Sequence, residues 1–210
     1  MKKPISPYLF GGSFDPFHVG HLAMMQHLYE QFPQSNAFYF VPTGKAGHKP
    51  PPRYSRTLRK AMLQTIIEGE CRQFERWQVG MIDFELNQPE AVFTYQTLIF
   101  FNQPVTWVMG DDQFFQFHTW KCPHTVLSFA NLLVFARGSQ ERHAACLYWQ
   151  THFPDHLFES TVQWVSWQKS PISSTIIRDL LDHKQPITHL VPKSIEATLM
   201  GASSPINGLQ

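Results

Sequence analysis

Two histidines behind a glycine pair, in Gly11-Gly12-Ser13-Phe14-Asp15-Pro16-Phe17-His18-Val19-Gly20-His21, are residue types suited to holding a polyphosphate. Glycine has no Cβ, so backbone N–H groups can approach an anion closely, and the start of a helix favours negative charge. His18 and His21 are three residues apart. At about 100° per residue on a helix they fall within roughly 60° of each other and reach the same phosphate. The same pair could instead cap backbone groups, bind zinc or sit idle on the surface. No Cys or third ligand follows at finger-like or catalytic spacing, which weakens the zinc reading. The stretch is neither the dinucleotide Gly-x-Gly-x-x-Gly nor a Walker loop.

These residues need a strand before them and a helix after them. Tyr8–Phe10 reads as a first strand, and Leu22, Met25, Tyr29 and Phe32 recur at helical spacing. Ala37–Val41 is a second short apolar strand, followed by a loop from Gly44 to Pro52 that ends in three prolines. Leu58, Met62 and Ile66 mark a helix, and Gln78–Phe84 a strand. Further strands are predicted at Val105–Met109, Leu132–Ala136 and Val162–Val165, the last preceding a helix start at Ser173-Ser174-Thr175. The aromatic pairs Phe114-Phe115 and Trp164 with Trp167 are assigned to core. Strands alternating with helices imply a parallel sheet whose ligands gather beyond the carboxyl ends of its strands. Gly11, Gly110, Arg137 and Ser173 each follow such an end.

The first segment resembles the signature of the nucleotidyltransferase superfamily that carries His-x-Gly-His. In its longer form it is similar to the bacterial nicotinate-nucleotide adenylyltransferase family. A second block, Ile172-Ser173-Ser174-Thr175-Ile176-Ile177-Arg178, stands near the other end of the chain. Between them come His48-Lys49, Gly110-Asp111-Asp112, Trp120 and Arg137-Gly138, in the family's order. The resemblance implies an α/β fold: a Rossmann-like, doubly wound parallel sheet with helices on both faces. It implies one domain over residues 1–210, with a small helical C-terminal subregion from about residue 170 onward.

It also implies transfer of the AMP moiety of ATP to nicotinate mononucleotide, giving nicotinate adenine dinucleotide and pyrophosphate. His18 and His21 would stabilise the α-phosphate and the leaving pyrophosphate. Gly11, Gly12, Ser13 and Phe14 would approach the nucleotide through backbone groups. Ser173, Ser174, Thr175 and Arg178 would meet the β- and γ-phosphates, while Gly110 and Asp112 would hold the adenosine end. The acceptor would be held by Lys49 at its phosphate and by Thr94, Trp120 and Arg137, with His18, His21, Lys49 and Arg178 as the catalytic set. Mg²⁺ would arrive with ATP, and no protein metal site is expected.

The acceptor segment departs from the family, with Gln88 for an arginine, Phe93 for a tyrosine and Gln96 for an aspartate. Loss of that arginine and aspartate is either the loss of a structural pair or a change of pyridine selectivity. A nicotinamide mononucleotide enzyme, a transferase for phosphopantetheine or glycerol phosphate, and a non-catalytic nucleotide-binding regulator are the alternatives.

Composition bounds the remainder. A formal net charge of +1 gives no electrostatic basis for broad nucleic-acid binding. Cys71, Cys122 and Cys146 are scattered and odd in number, as expected of reduced thiols in the cytoplasm. Pro4, Pro7 and the glycines interrupt any signal-peptide core. The uncharged run from Ala91 to Gly110 contains Thr, Gln, Asn and Pro, so no membrane span is expected there. A homo-oligomer is compatible with all of this.

Overall fold

The alternation of apolar runs and helical stretches builds a six-stranded parallel sheet. The computed structural model describes residues 6–45, 50–136, 141–167 and 171–202. Its strands are β1 (Tyr8–Gly12), β2 (Ala37–Pro42), β3 (Gln78–Met81), β4 (Val105–Gly110), β5 (Ala130–Ala136) and β6 (Val162–Ser166). Parallel neighbours require crossovers, and helices supply each one. These are α1 (Val19–Gln31), α2 (Arg56–Glu68), α3 (Thr94–Phe101), α4 (Asp111–Phe114) with α5 (Pro123–Phe129), and α6 (Glu141–His152) with α7 (Phe158–Thr161). Two more, α8 (Ser174–Asp182) and α9 (Lys193–Ala202), follow β6.

The spatial order is β3-β2-β1-β4-β5-β6. It reverses between β1 and β4, the switch point at which such sheets bind ligands. Gly11-Gly12 and Gly110 end those two strands. The Rossmann-like α/β fold expected from the sequence is the fold observed. One element is shorter than expected: the strand at Gln78–Phe84 stops at Met81. β3 is an edge strand whose pairing with β2 ends at Met81, and Phe84 turns to helical backbone before a 3₁₀ turn over Glu85–Asn87.

The chain forms two compact units. The sheet unit comprises Met1–Gly12, Gln34–Pro50 and Arg76–Lys169. On one face of its sheet, Leu9, Trp107, Leu132 and Val134 pack with Leu98 of α3, Val126 of α5 and Trp149 of α6. Phe114 stacks on Trp149 with centroids 5.8 Å apart. The alternate residues Tyr8, Phe10, Phe38 and Phe40 are buried too, and Phe38 stacks on Trp77 at 5.3 Å. Strands buried on both faces read as continuous apolar runs, as these do.

The helical unit comprises Ser13–Pro33, Pro51–Glu75 and Ser170–Gln210. Its buried residues include Met25 and Leu28 of α1, Met62, Leu63 and Ile66 of α2, Ile177 and Leu181 of α8, and Ile195 and Leu199 of α9. Ser55 caps α2 by accepting the Leu58 N–H at 3.2 Å. Ser194 donates to Glu70 at 2.7 Å, fixing the start of α9.

Candidate functional site

From Phe14 to His18 every residue of the helical unit's leading turn is buried. His18 is not inside α1. It is the N-cap, with extended backbone (φ −146°, ψ 168°), and His21 is the third helical residue. The expectation that both project from one helical face is therefore corrected: their rings stack, centroids 3.7 Å apart and planes 22° apart. The stack follows from the cap. The His18 N–H donates to His21 Nδ1 at 3.1 Å, the role a Glu or Gln plays in a capping box. With Nδ1 as acceptor, neutral His21 carries its proton on Nε2.

Burial pushes His18 down to about 4 from an ordinary 6.5. His21 lies well below its ordinary value, by burial first and then by the adjacent His18. Both rings are therefore neutral at pH 7. They are hydrogen-bonding groups in the free protein, and each would gain a proton most readily beside an anion. His18 Nδ1 is buried with no hydrogen-bond partner among the described residues.

The second block meets this turn within the helical unit. Ser174 Oγ donates to the Pro16 carbonyl at 2.9 Å, and Arg178 Nη1 donates to the Asp15 carbonyl at 2.6 Å. Arg178 Nη2 donates to Thr175 Oγ1 at 3.1 Å, which leaves the exposed hydroxyl its own proton to give. Ser173 is an ordinary N-cap, accepting the Ile176 N–H at 3.3 Å. Residues 158 and 163 positions apart in sequence are thus joined through Asp15-Pro16, whose peptide bond is cis.

The remaining anchors of this turn were not singled out by the sequence reading. Asp15 accepts the N–H groups of Arg53 and Tyr54, each at 2.9 Å. Buried Arg59 donates to the Ser13 carbonyl at 2.8 Å and to the Tyr54 carbonyl at 3.2 Å. A signal did exist: Arg59 shares a helical stripe with Met62, Leu63 and Ile66, where a charge needs a partner.

In the sheet unit, Gly11 has a packing reason of its own, because a Cβ there would lie 2.5 Å from the Trp107 ring. The Gly12 carbonyl accepts the Thr43 N–H at 2.9 Å. Past β4, buried Asp111 accepts the Asp112 N–H at 2.9 Å, and the exposed Asp112 carboxylate lies over Gly110. Thr94 opens α3. Trp120 is half-buried, its ring edge-on to Phe117 at 5.2 Å. Lys49 and Arg137 lie outside the described residues.

Gln96 Oε1 accepts the Phe93 N–H at 2.9 Å, so it performs the capping that an aspartate would perform there. Glu85, part of the same segment, is buried and pushed up to about 7 by that burial. Thr97 donates to it at 2.8 Å.

A six-stranded parallel sheet whose strand order reverses between β1 and β4 defines a Rossmann-like α/β protein, a fold of the nucleotide-binding kind. The sequence matches the cytidylyltransferase-like family model over residues 9–180. The chain belongs to that family. It is 29% identical over 203 residues to the nicotinate-nucleotide adenylyltransferase of Salmonella typhi, covering 89% of this chain and 92% of that one. It is 30% identical to the probable nicotinate-nucleotide adenylyltransferase of Aquifex aeolicus, covering 80% of this chain and 98% of that one. The Plasmodium falciparum nicotinic acid mononucleotide adenylyltransferase complexed with NaAD shares the fold, with a TM-score of 0.72, 16% identity and coverage of 95% and 96%.

Proposed function

We propose that this chain is a nicotinate-nucleotide adenylyltransferase, acting in NAD biosynthesis. An oxygen of the nicotinate mononucleotide phosphate attacks the α-phosphorus of ATP. The bond from that phosphorus to the oxygen bridging to the β-phosphate breaks, and pyrophosphate leaves with the electron pair. The nucleophile is already an anion, so catalysis consists of alignment and charge neutralisation. The observation that carries this reading is the junction of Ser174 and Arg178 with the Asp15-Pro16 turn that presents His18. It joins, within the helical unit, the two sequence blocks to which this reading gives the phosphates.

His18 and His21 serve as neutral donors whose hydrogen bonds strengthen as negative charge builds on the phosphates in the transition state. Thr175 and the first N–H groups of α8 serve the β- and γ-phosphates, with Arg178 beside them. Ser174 and Ser173 act indirectly, since one holds the turn and the other caps the helix. Gly11, Gly12, Ser13 and Phe14 contribute backbone, Gly110 and Asp112 the adenosine end, and Lys49, Thr94, Trp120 and Arg137 the acceptor.

Among the described residues no group of three His, Cys, Asp or Glu side chains is placed to hold a metal ion. Magnesium arrives with ATP on phosphate and water oxygens, and its role there is to offset phosphate charge. No helix of the described residues is long and apolar enough to cross a membrane, and the free cysteines fit a cytoplasmic setting.

The first turn of α3 supports the acid over the amide. Its leading backbone N–H groups, at Thr94 and Tyr95, have no intrahelical acceptor and suit a carboxylate, whereas a carboxamide also brings donors. Purified protein incubated with Mg-ATP and either pyridine mononucleotide gives the test. Nicotinate adenine dinucleotide and pyrophosphate should form in equal amounts, faster than the amide product. No dinucleotide from either acceptor would end this reading.

A further inference from the structure

The turn that carries the histidines is braced from outside the two motifs. Arg59 is 1% exposed, and its guanidinium bridges the carbonyls of Ser13 and Tyr54. Tyr54 in turn gives its N–H to Asp15, two residues beyond Ser13. A ring of hydrogen bonds therefore closes through Arg59, Ser13, Asp15 and Tyr54. The Asp15 carboxylate balances the Arg59 charge, while Arg56 opposes it. Arg178 fixes the other side of the turn at the Asp15 carbonyl.

The consequence lies in one peptide plane. The C=O and N–H of a trans peptide point in opposite directions, so pinning the Ser13 carbonyl on Arg59 also aims the Phe14 N–H. Phe14 has φ 46°, a region that a bulky residue does not occupy without support from its surroundings. That support comes from the bonds at the Ser13 and Asp15 carbonyls. We propose that Arg59 is a positioning residue for adenylyl transfer, holding the Ser13–Phe14 peptide so that the Phe14 N–H faces the phosphates of ATP. The proposal rests on the adenylyltransferase reading for its ligand, but not for its geometry.

Arg59→Lys keeps the charge and loses the fork that bridges two carbonyls. The folded variant should bind ATP about tenfold more weakly and lose about tenfold in kcat, with KM for nicotinate mononucleotide within about twofold. A merely structural role would weaken binding of both substrates and lower kcat together, in step with the loss of Tm. In ¹⁵N-labelled wild-type protein the Phe14 amide resonance should move on adding ATP, and in the lysine variant that movement should shrink. Should the lysine variant not fold, Arg59→Gln retains one donor for the Ser13 carbonyl and is expected to show the same split. An unmoved Phe14 resonance at saturating ATP, or ATP affinity in the folded variant within twofold of wild type, overturns the proposal. A wild-type protein that makes no dinucleotide, yet shows the Phe14 shift and the variant's weakened ATP binding, would sink the transferase reading alone. Product formation with an unmoved Phe14 would sink the brace alone.

Discussion

In the sheet unit, space between strands and helices is filled by rings such as Phe114, Phe117 and Trp149, each in contact with several others. In the helical unit the stretch from Phe14 to His18 is equally buried, yet polar bonds hold it and the Ser13 carbonyl before it: Arg59 on Ser13, Arg178 on Asp15, Ser174 on Pro16. An apolar core degrades gradually when one member shrinks. A buried polar ring does not, because each member removed leaves another unsatisfied. The first arrangement suits a scaffold and the second a part whose geometry must be fixed.

Substitutions on the two sides should separate those roles. The largest effect belongs to His18→Ala: kcat should fall by about 100-fold or more while ATP affinity changes only a few-fold, since the ring acts chiefly on the transition state. Equal losses in both would contradict its assignment. Gly11→Ala, in the sheet unit, drives a methyl group into the Trp107 ring and should cost about 1–3 kcal/mol of stability, read as a lower urea midpoint. Its turnover at a temperature where it stays folded should fall far less than that of His18→Ala.

Acid and base should distinguish the units by sign. His18 at about 4, with His21 also lowered, means that the folded state holds fewer protons than the unfolded chain below pH 6.5. The His18 contribution is complete above 6.5 and is lost as pH falls through about 4, and that of His21 has the same sign. Glu85, at about 7 against an ordinary 4.5, holds a proton that the unfolded chain has released. Its contribution is complete below 4.5 and is lost as pH rises through about 7. Unfolding midpoints across this range should flatten on the acid side in His18→Gln and between 4.5 and 7 in Glu85→Gln. Slopes unchanged in either variant would rule out that group as the source. The smallest effect is Gln96→Ala, which removes one cap and should cost about 0.5–1 kcal/mol, with Gln96→Asp close to wild type.

Much of this was legible from residue order. Short apolar runs and glycine stops gave the strands, and the His-x-Gly-His and Ser-Ser-Thr blocks named the histidines, Thr175 and Arg178. What order alone did not reveal were the partners of backbone carbonyls. Arg59 reaches Ser13 across 46 residues, and nothing in the turn itself announces a guanidinium at its carbonyl. The stacked histidines escaped for a related reason: a capping bond places His18 outside the helix whose angular spacing was used to pair the rings. At Gln96 the sequence left a lost structural pair and a changed selectivity both open, because it records the missing charge but not the retained acceptor.

Position 11 and position 107 share one volume. A chain of this family that carries alanine or serine where this one has Gly11 should carry a smaller ring or an aliphatic residue at the position of Trp107 on the neighbouring strand. The glycine therefore reports on its indole neighbour as much as on any phosphate, and pairwise substitution patterns across relatives would record that exchange.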